Sequence, residues 1–123
     1  RPRSSMSPTM VFDADGDIRL ITGSPGGNSI PAYVAKTILG VLDWDLNAQQ
    51  AVDYPNIVAR GEFVRVEVNV DPGQSIADGL NARGYNVTES EGENSGLHII
   101  SVNGNGLDGA ADMRREGTVW VLR

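Results

Sequence analysis

The sequence predicts an α+β chain in which short strands flank a long amphipathic helix, and three observations predict it. Two short apolar runs, residues 9–12 and 18–22, are joined by Asp13-Ala14-Asp15-Gly16-Asp17, which reads as a hairpin turn tolerant of positive φ at Gly16. Over residues 29–44 the apolar Ile30, Val34, Ile38, Val41 and Leu42 recur at three- and four-residue spacings, the period of an amphipathic helix. The later segments run strand, helix, strands, without a clean βαβ repeat, which fits a sheet layered with helices.

Each element has a local reason. Ser24-Pro25-Gly26-Gly27-Asn28 breaks the second strand, and Ser29 then offers an N-cap with Pro31 in the first turn of the long helix. A short helix is expected over residues 48–53, stopped by Pro55. Residues 63–70 alternate enough for a strand. Residues 76–83 read as a helix closed by Gly84, and residues 85–88 as another strand. The polar, glycine-containing residues 89–96 form a loop, and strands are expected over 97–102 and 118–122. No linker or internal repeat divides the chain, so its 123 residues are expected to form a single domain or part of one.

Composition narrows the function. Hydrophobic residues make up 40% and are spread along the length, which allows a core and supports neither disorder nor a membrane segment. With 16 acidic against 10 basic residues, and no basic cluster beyond Arg114-Arg115, nucleic acid and anionic membrane are poor candidates as partners. The lack of cysteine and the single histidine exclude zinc sites, thiol catalysis and disulfides within the chain. The start Arg1-Pro2-Arg3 reads as a processing cut or an engineered boundary.

Several local patterns carry less than they first offer. Gly104-Asn105-Gly106-Leu107-Asp108-Gly109 has the glycine spacing of a dinucleotide loop, but too little chain follows for the helix, second strand and acidic residue that such a site needs, so a flexible turn is expected. The Asp13-Asp15-Asp17 carboxylates alternate as calcium ligands can. An EF-hand needs glycine sixth and glutamate twelfth, where Asp17's successor Ile18 and Ser24 stand, so a solvated turn is expected. Asn86-Val87-Thr88 is formally a glycosylation sequon in a strand context. His98, within Leu97-His98-Ile99-Ile100, has no serine or cysteine nucleophile beside it and reads as structural.

Two loops around the first hairpin are stronger candidates. Ser4 and Ser5 supply adjacent hydroxyl donors, and Ser7 a third before Pro8, which suits a carboxylate. Pro25-Gly26-Gly27 lies between a strand and the long helix. Without Cβ atoms its backbone can approach a ligand closely, and its N–H groups near a positive helix end suit an oxyanion. Taken singly, each loop also reads as ordinary coil or turn.

Together, residues 1–11 with their Ser4-Ser5-Met6-Ser7-Pro8-Thr9, the loop Gly23-Ser24-Pro25-Gly26-Gly27, the segment Asn47-Ala48-Gln49-Gln50-Ala51-Val52-Asp53-Tyr54-Pro55 and the tail Gly109-Ala110-Ala111-Asp112-Met113-Arg114-Arg115-Glu116-Gly117 resemble, in order, the gamma-glutamyltranspeptidase family. The resemblance implies an N-terminal-nucleophile (Ntn) hydrolase with an αββα sandwich, of which this chain is a C-terminal portion within the small subunit. It implies an enzyme that cleaves gamma-glutamyl amides such as glutathione, after a precursor cuts itself into large and small subunits. A new N-terminal threonine then forms a gamma-glutamyl ester that water or an amine resolves. By motif position, Ser4 and Ser5 would bind the donor's α-carboxylate, and Gly26 and Gly27 would form the oxyanion hole.

No cofactor or metal is implied, and the family suggests a periplasmic or extracellular setting. The five threonines, Thr9, Thr22, Thr37, Thr88 and Thr118, lack the family's Thr-x-His nucleophile context, and Arg3 departs from the apolar residue expected before the serine pair. The chain alone is therefore expected to be inactive, and to pair with the large subunit, the rest of the small subunit or itself. A glutaryl-type acylase, a polyglutamate transpeptidase and a non-catalytic binding or assembly module stand as alternatives.

Overall fold

The structure is a computed structural model that describes residues 3–121; Arg1, Pro2, Leu122 and Arg123 lie outside the described residues. In chain order the elements are β1 (Thr9–Phe12), β2 (Ile18–Gly23), α1 (Ile30–Leu42), α2 (Ala48–Asp53), β3 (Ile57–Arg60), β4 (Phe63–Glu67), α3 (Gly73–Ala82), β5 (Val87–Ser90), β6 (His98–Asn103) and β7 (Gly106–Ala111). Short 3-10 turns cover Gly27–Ser29 and Met113–Arg115. The architecture is α+β, as expected.

The first sheet has the order β1-β2-β6-β7 and is antiparallel throughout. Its inner face, with Leu20, Thr22, Ile99, Ser101 and Ala110, is buried, and α1 and α2 lie against its strands. The core joins Leu20, Tyr33, Ala48, Val52, Val58, Leu97, Ile99 and Ala110. Its outer face carries the cross-strand row Met10, Ile21, Ile100, Gly109. Met10 and Ile100 there are 60% and 45% exposed, an apolar surface on the side away from the helices.

The second sheet has the order β3-β4-β5, with β4 and β5 parallel and joined through α3. This is a βαβ unit, a correction to the expected order of elements. The sequence hides it because α3 begins at Gly73, earlier than the periodic run from residue 76, and β4 ends at Glu67. Gly73 accepts this tight start: a Cβ there would fall 1.9 Å from the Glu67 carbonyl oxygen.

Other differences have plain causes. Asn47 and Gln50 form a reciprocal capping box that starts α2 where expected. Ser29 does not cap α1 with its side chain; its hydroxyl instead accepts from Arg65 Nη2 at 3.3 Å. The turn expected at residues 104–109 is shorter, because Gly106 already pairs with Asn103 and opens β7. The expected strand over residues 118–122 is absent from its described part: residues 118–121 form no strand. They cross the outer face instead, where Val119 Cγ1 occupies the space above Gly109 and a Cβ on that glycine would be 3.2 Å away.

A buried polar network ties the two sheets to α2. Lys36 Nζ donates to the carbonyls of Ala51, Val52 and Tyr54 at 2.8, 3.0 and 3.0 Å, satisfying the free end of α2. Arg114 pairs in a fork with Glu67, Nε to Oε1 and Nη2 to Oε2 both at 2.8 Å, and also reaches Asp112. Asp112 accepts from Ser95 Oγ and the Leu97 N–H, and Asn56 Nδ2 donates to Ser95 Oγ and Glu67. Burial opposes the Arg114 charge, but Glu67 and Asp112 beside it raise its proton affinity above the usual arginine value.

Candidate active site

The two loops singled out in the sequence lie side by side. The Ser5 N–H donates to the Gly27 carbonyl at 3.0 Å, so the serine segment is anchored to the glycine loop and follows its position. Ser4 and Ser5 are exposed. Ser7 differs from them: its hydroxyl donates to the Ser5 carbonyl at 2.9 Å, and Thr9 Oγ1 donates to the Ser7 carbonyl at 3.0 Å. The third hydroxyl thus braces the turn, while the Ser4 and Ser5 hydroxyls bond to none of the described residues.

Gly26 has φ 139° and Gly27 φ 61°, conformations that strongly favour glycine. The Gly26 carbonyl accepts from the Ser29 N–H at 3.1 Å, forming the 3-10 turn that leads into α1. Among the described residues no acceptor takes the Gly26 or Gly27 N–H. Two unspent donors therefore sit beside the start of a 13-residue helix, whose positive end favours negative charge.

The loop 91–96 supports the glycine loop from behind. Gly96 N–H donates to Ser24 Oγ at 3.1 Å, and a Cβ on Gly96 would fall 2.8 Å from Pro25 Cγ. Arg115 Nε and Nη2 hold the Asn94 carbonyl at 3.2 and 3.0 Å. Glu93 accepts from the Tyr33 hydroxyl at 2.5 Å and from Arg65 through both Nε and Nη2. Burial would raise the Glu93 carboxyl, but the Arg65 and Tyr33 donors hold it below the usual range. Burial and Glu93 push the Tyr33 phenol up.

Sequence reasoning missed this second layer. Tyr33 and Glu93 lie 60 positions apart, and nothing in the sequence sets Glu93 apart from Glu89 and Glu91 in the same polar loop. His98 is exposed on the outer face, its Nδ1 3.1 Å from the Gly96 carbonyl. The Asp13 carboxylate accepts the N–H groups of Asp15 and Asp17 at 3.0 and 2.9 Å, closing the hairpin turn. Among the described residues no cluster of three or more acidic, histidine or cysteine side chains could hold a metal ion. None of their helices is long and apolar enough to cross a membrane.

Known proteins share both the sequence and the fold. The family description "Gamma-glutamyltranspeptidase" matches residues 1–122. The chain is 35% identical over 116 residues to a glutathione hydrolase proenzyme of Escherichia coli, covering 93% of this chain and 20% of that protein. It is 31% identical over 116 residues to an acylase ACY 1 proenzyme of Pseudomonas sp. strain SE83, covering 94% and 20%. The solved gamma-glutamyltranspeptidase of Pseudomonas nitroreducens, complexed with L-DON, superposes with a TM-score of 0.81 at 28% identity, covering 98% of this chain and 63% of that one. The chain thus spans about a fifth of the length of these curated relatives and part of the Ntn-hydrolase fold of its structural neighbours. A match over nearly every residue, with the same architecture, places this chain in the gamma-glutamyltranspeptidase family.

Proposed function

We propose that this chain is the C-terminal part of the small subunit of an enzyme that cleaves gamma-glutamyl amides such as glutathione, and that it supplies the carboxylate and oxyanion side of the site. The observation that carries this reading is the Ser5 to Gly27 hydrogen bond of 3.0 Å. It joins the hydroxyl pair and the unspent N–H pair into one rigid unit, at a spacing fixed by the backbone.

Chemically, Ser4 and Ser5 donate to the donor's α-carboxylate, whose charge makes each such bond worth more than a neutral one. The nucleophile, an N-terminal threonine outside this chain, attacks the gamma-carbonyl carbon. The carbonyl oxygen takes the charge, which the Gly26 and Gly27 N–H groups stabilise at no cost in reorganisation. The C–N bond then breaks as the carbonyl re-forms, and the amine leaves with the proton that the threonine's own α-amine took from its hydroxyl. The acyl ester is resolved by water or an acceptor amine. The large subunit and the remainder of the small subunit cover the apolar outer face around Ile21 and Ile100.

Gly26→Val in the mature full-length protein tests the oxyanion role. The rate of acylation on a gamma-glutamyl anilide is expected to fall by about 10²; an unchanged rate in a folded protein removes the role. A second reading, a glutaryl-type acylase, is favoured by the 31% identity to the Pseudomonas acylase. Comparing gamma-glutamyl with glutaryl anilides decides between them, because the two donors share the terminal carboxylate and only a true gamma-glutamyl site loses rate when the α-amino group is removed.

A further inference from the structure

The position of Gly26 is set by a closed circuit of contacts that returns to it. An ideal Cβ on Gly26 would lie 2.5 Å from Tyr33 Cε2, so the backbone rests directly on the edge of the Tyr33 ring. The Tyr33 hydroxyl donates to Glu93 Oε2 at 2.5 Å. Arg65 grips the same carboxylate through Nε and, at 3.1 Å, through Nη2. Its Nη2 also donates to Ser29 Oγ at 3.3 Å, and the Ser29 N–H donates to the Gly26 carbonyl at 3.1 Å. Glu93 is the hinge of this circuit, its side chain only 4% exposed.

An ordinary surface ion pair would not need this arrangement. A buried carboxylate that receives three donors, one of them a phenol whose ring edge supports the Gly26 backbone, has little freedom to move. The backbone on the C-terminal side of Glu93 is fixed as well, because Arg115 holds the Asn94 carbonyl. Tilting the Tyr33 ring is therefore the principal way in which Gly26 can change height, and the Glu93 tether resists it.

We propose that Glu93, held by Arg65, is a positioning residue that acts through the Tyr33 ring to set where the Gly26 and Gly27 N–H groups point. The inference rests on the proposed oxyanion role of those groups and goes beyond it by naming what keeps them in place. Donors aimed at the oxyanion contribute only when they meet it at hydrogen-bond distance, so a shift of a few tenths of an ångström weakens the transition state more than the bound substrate.

Tyr33→Phe removes the tether while leaving the ring and the Arg65–Glu93 pair in place, and Glu93→Gln weakens both links. Both are to be assayed in the mature full-length protein on a gamma-glutamyl anilide, with a donor-like boronate as a mimic of the tetrahedral intermediate. The expected result is a fall in kcat of about 10-fold, KM within about 2-fold, and boronate affinity weakened by the same factor as kcat. A merely structural role would lower thermal stability and leave the boronate affinity alone. Should Glu93→Gln fail to fold, Tyr33→Phe decides alone. Wild-type kcat and boronate affinity in a folded Tyr33→Phe protein, with Gly26→Val still impaired, overturn the positioning role and leave the oxyanion reading standing. Wild-type behaviour of Gly26→Val as well overturns both.

Discussion

The N–H of Ser5 donates to the carbonyl of Gly27 at 3.0 Å, a bond that needs no side chain from either residue. The hydroxyl of Ser5 can therefore be removed without detaching the loop. In the full-length protein Ser5→Ala is expected to lower kcat/KM for a gamma-glutamyl donor by about 10- to 100-fold, the loss of one hydrogen bond to a charged group. The same change should leave a donor without an α-carboxylate nearly unaffected. Steady-state kinetics on the two donors check this.

Lys36 reports on the end of α2. Replacing it with methionine leaves the Ala51 carbonyl without a donor and the Val52 and Tyr54 carbonyls with Arg114 alone, and chemical denaturation is expected to show a loss of about 2–4 kcal/mol. Burial, with the Arg114 charge nearby, pulls the Lys36 ammonium from 10.5 down to about 7. Between these values the unfolded chain holds more protons than the folded one, so this group makes stability rise as pH increases from about 7 towards 10.5. The slope is at most about 1.4 kcal/mol per pH unit. Below pH 7 both states are protonated and the slope vanishes. Subtracting the Lys36→Met profile from that of the parent isolates this slope; an identical slope in both proteins contradicts it.

Arg114 is the partner that makes a buried Glu67 tolerable, their side chains being 13% and 1% exposed. Arg114→Gln is expected to cost about 3–5 kcal/mol by leaving that carboxylate without its counter-charge. Glu67→Gln in the same background should recover part of the loss. A double-mutant cycle in urea measures the coupling; additive single effects would mean that the pair is not the source.

The outer face predicts the behaviour of the isolated chain. With Met10, Phe12, Ile100 and Leu107 all exposed on one side, the chain should self-associate at micromolar concentration, and Ile100→Lys should shift light scattering towards monomer. Equal scattering from both proteins would locate the association elsewhere.

How much of this the sequence carried depends on where the signal was stored. α1 and the β1–β2 hairpin were legible because their information is local: an apolar period of three to four, and an Asp-rich turn with glycine. α2 was legible through the stop at Pro55, and its Asn47–Gln50 capping box emerged only in the structure. β3 and β7 were not, because Ile57–Arg60 is four residues long and Gly106–Ala111 is rich in glycine and alanine. Their strand form comes from pairing with β4 and β6, an example of tertiary context overriding weak propensity. Residues 118–121 erred in the opposite direction, since an apolar run can lie across a sheet as readily as join it.

The site divides in the same way. Ser4, Ser5, Gly26 and Gly27 stood out because glycine and serine loops keep their chemistry in adjacent residues. Tyr33, Arg65 and Glu93 come from a helix, a strand and a loop, and nothing in their separate surroundings marks them as neighbours.

The Asp112–Arg114 pair also makes the burial of earlier segments depend on a later one. Glu67 and Ser95 precede it in the chain, yet both are closed off from water by groups it supplies. While synthesis has reached only residue 111, α2, β4 and the 91–96 loop have polar groups that cannot be buried at an acceptable cost. The β1–β2 hairpin uses none of these groups, whereas the packing around Glu67 and Ser95 depends on what Arg114 and Asp112 supply.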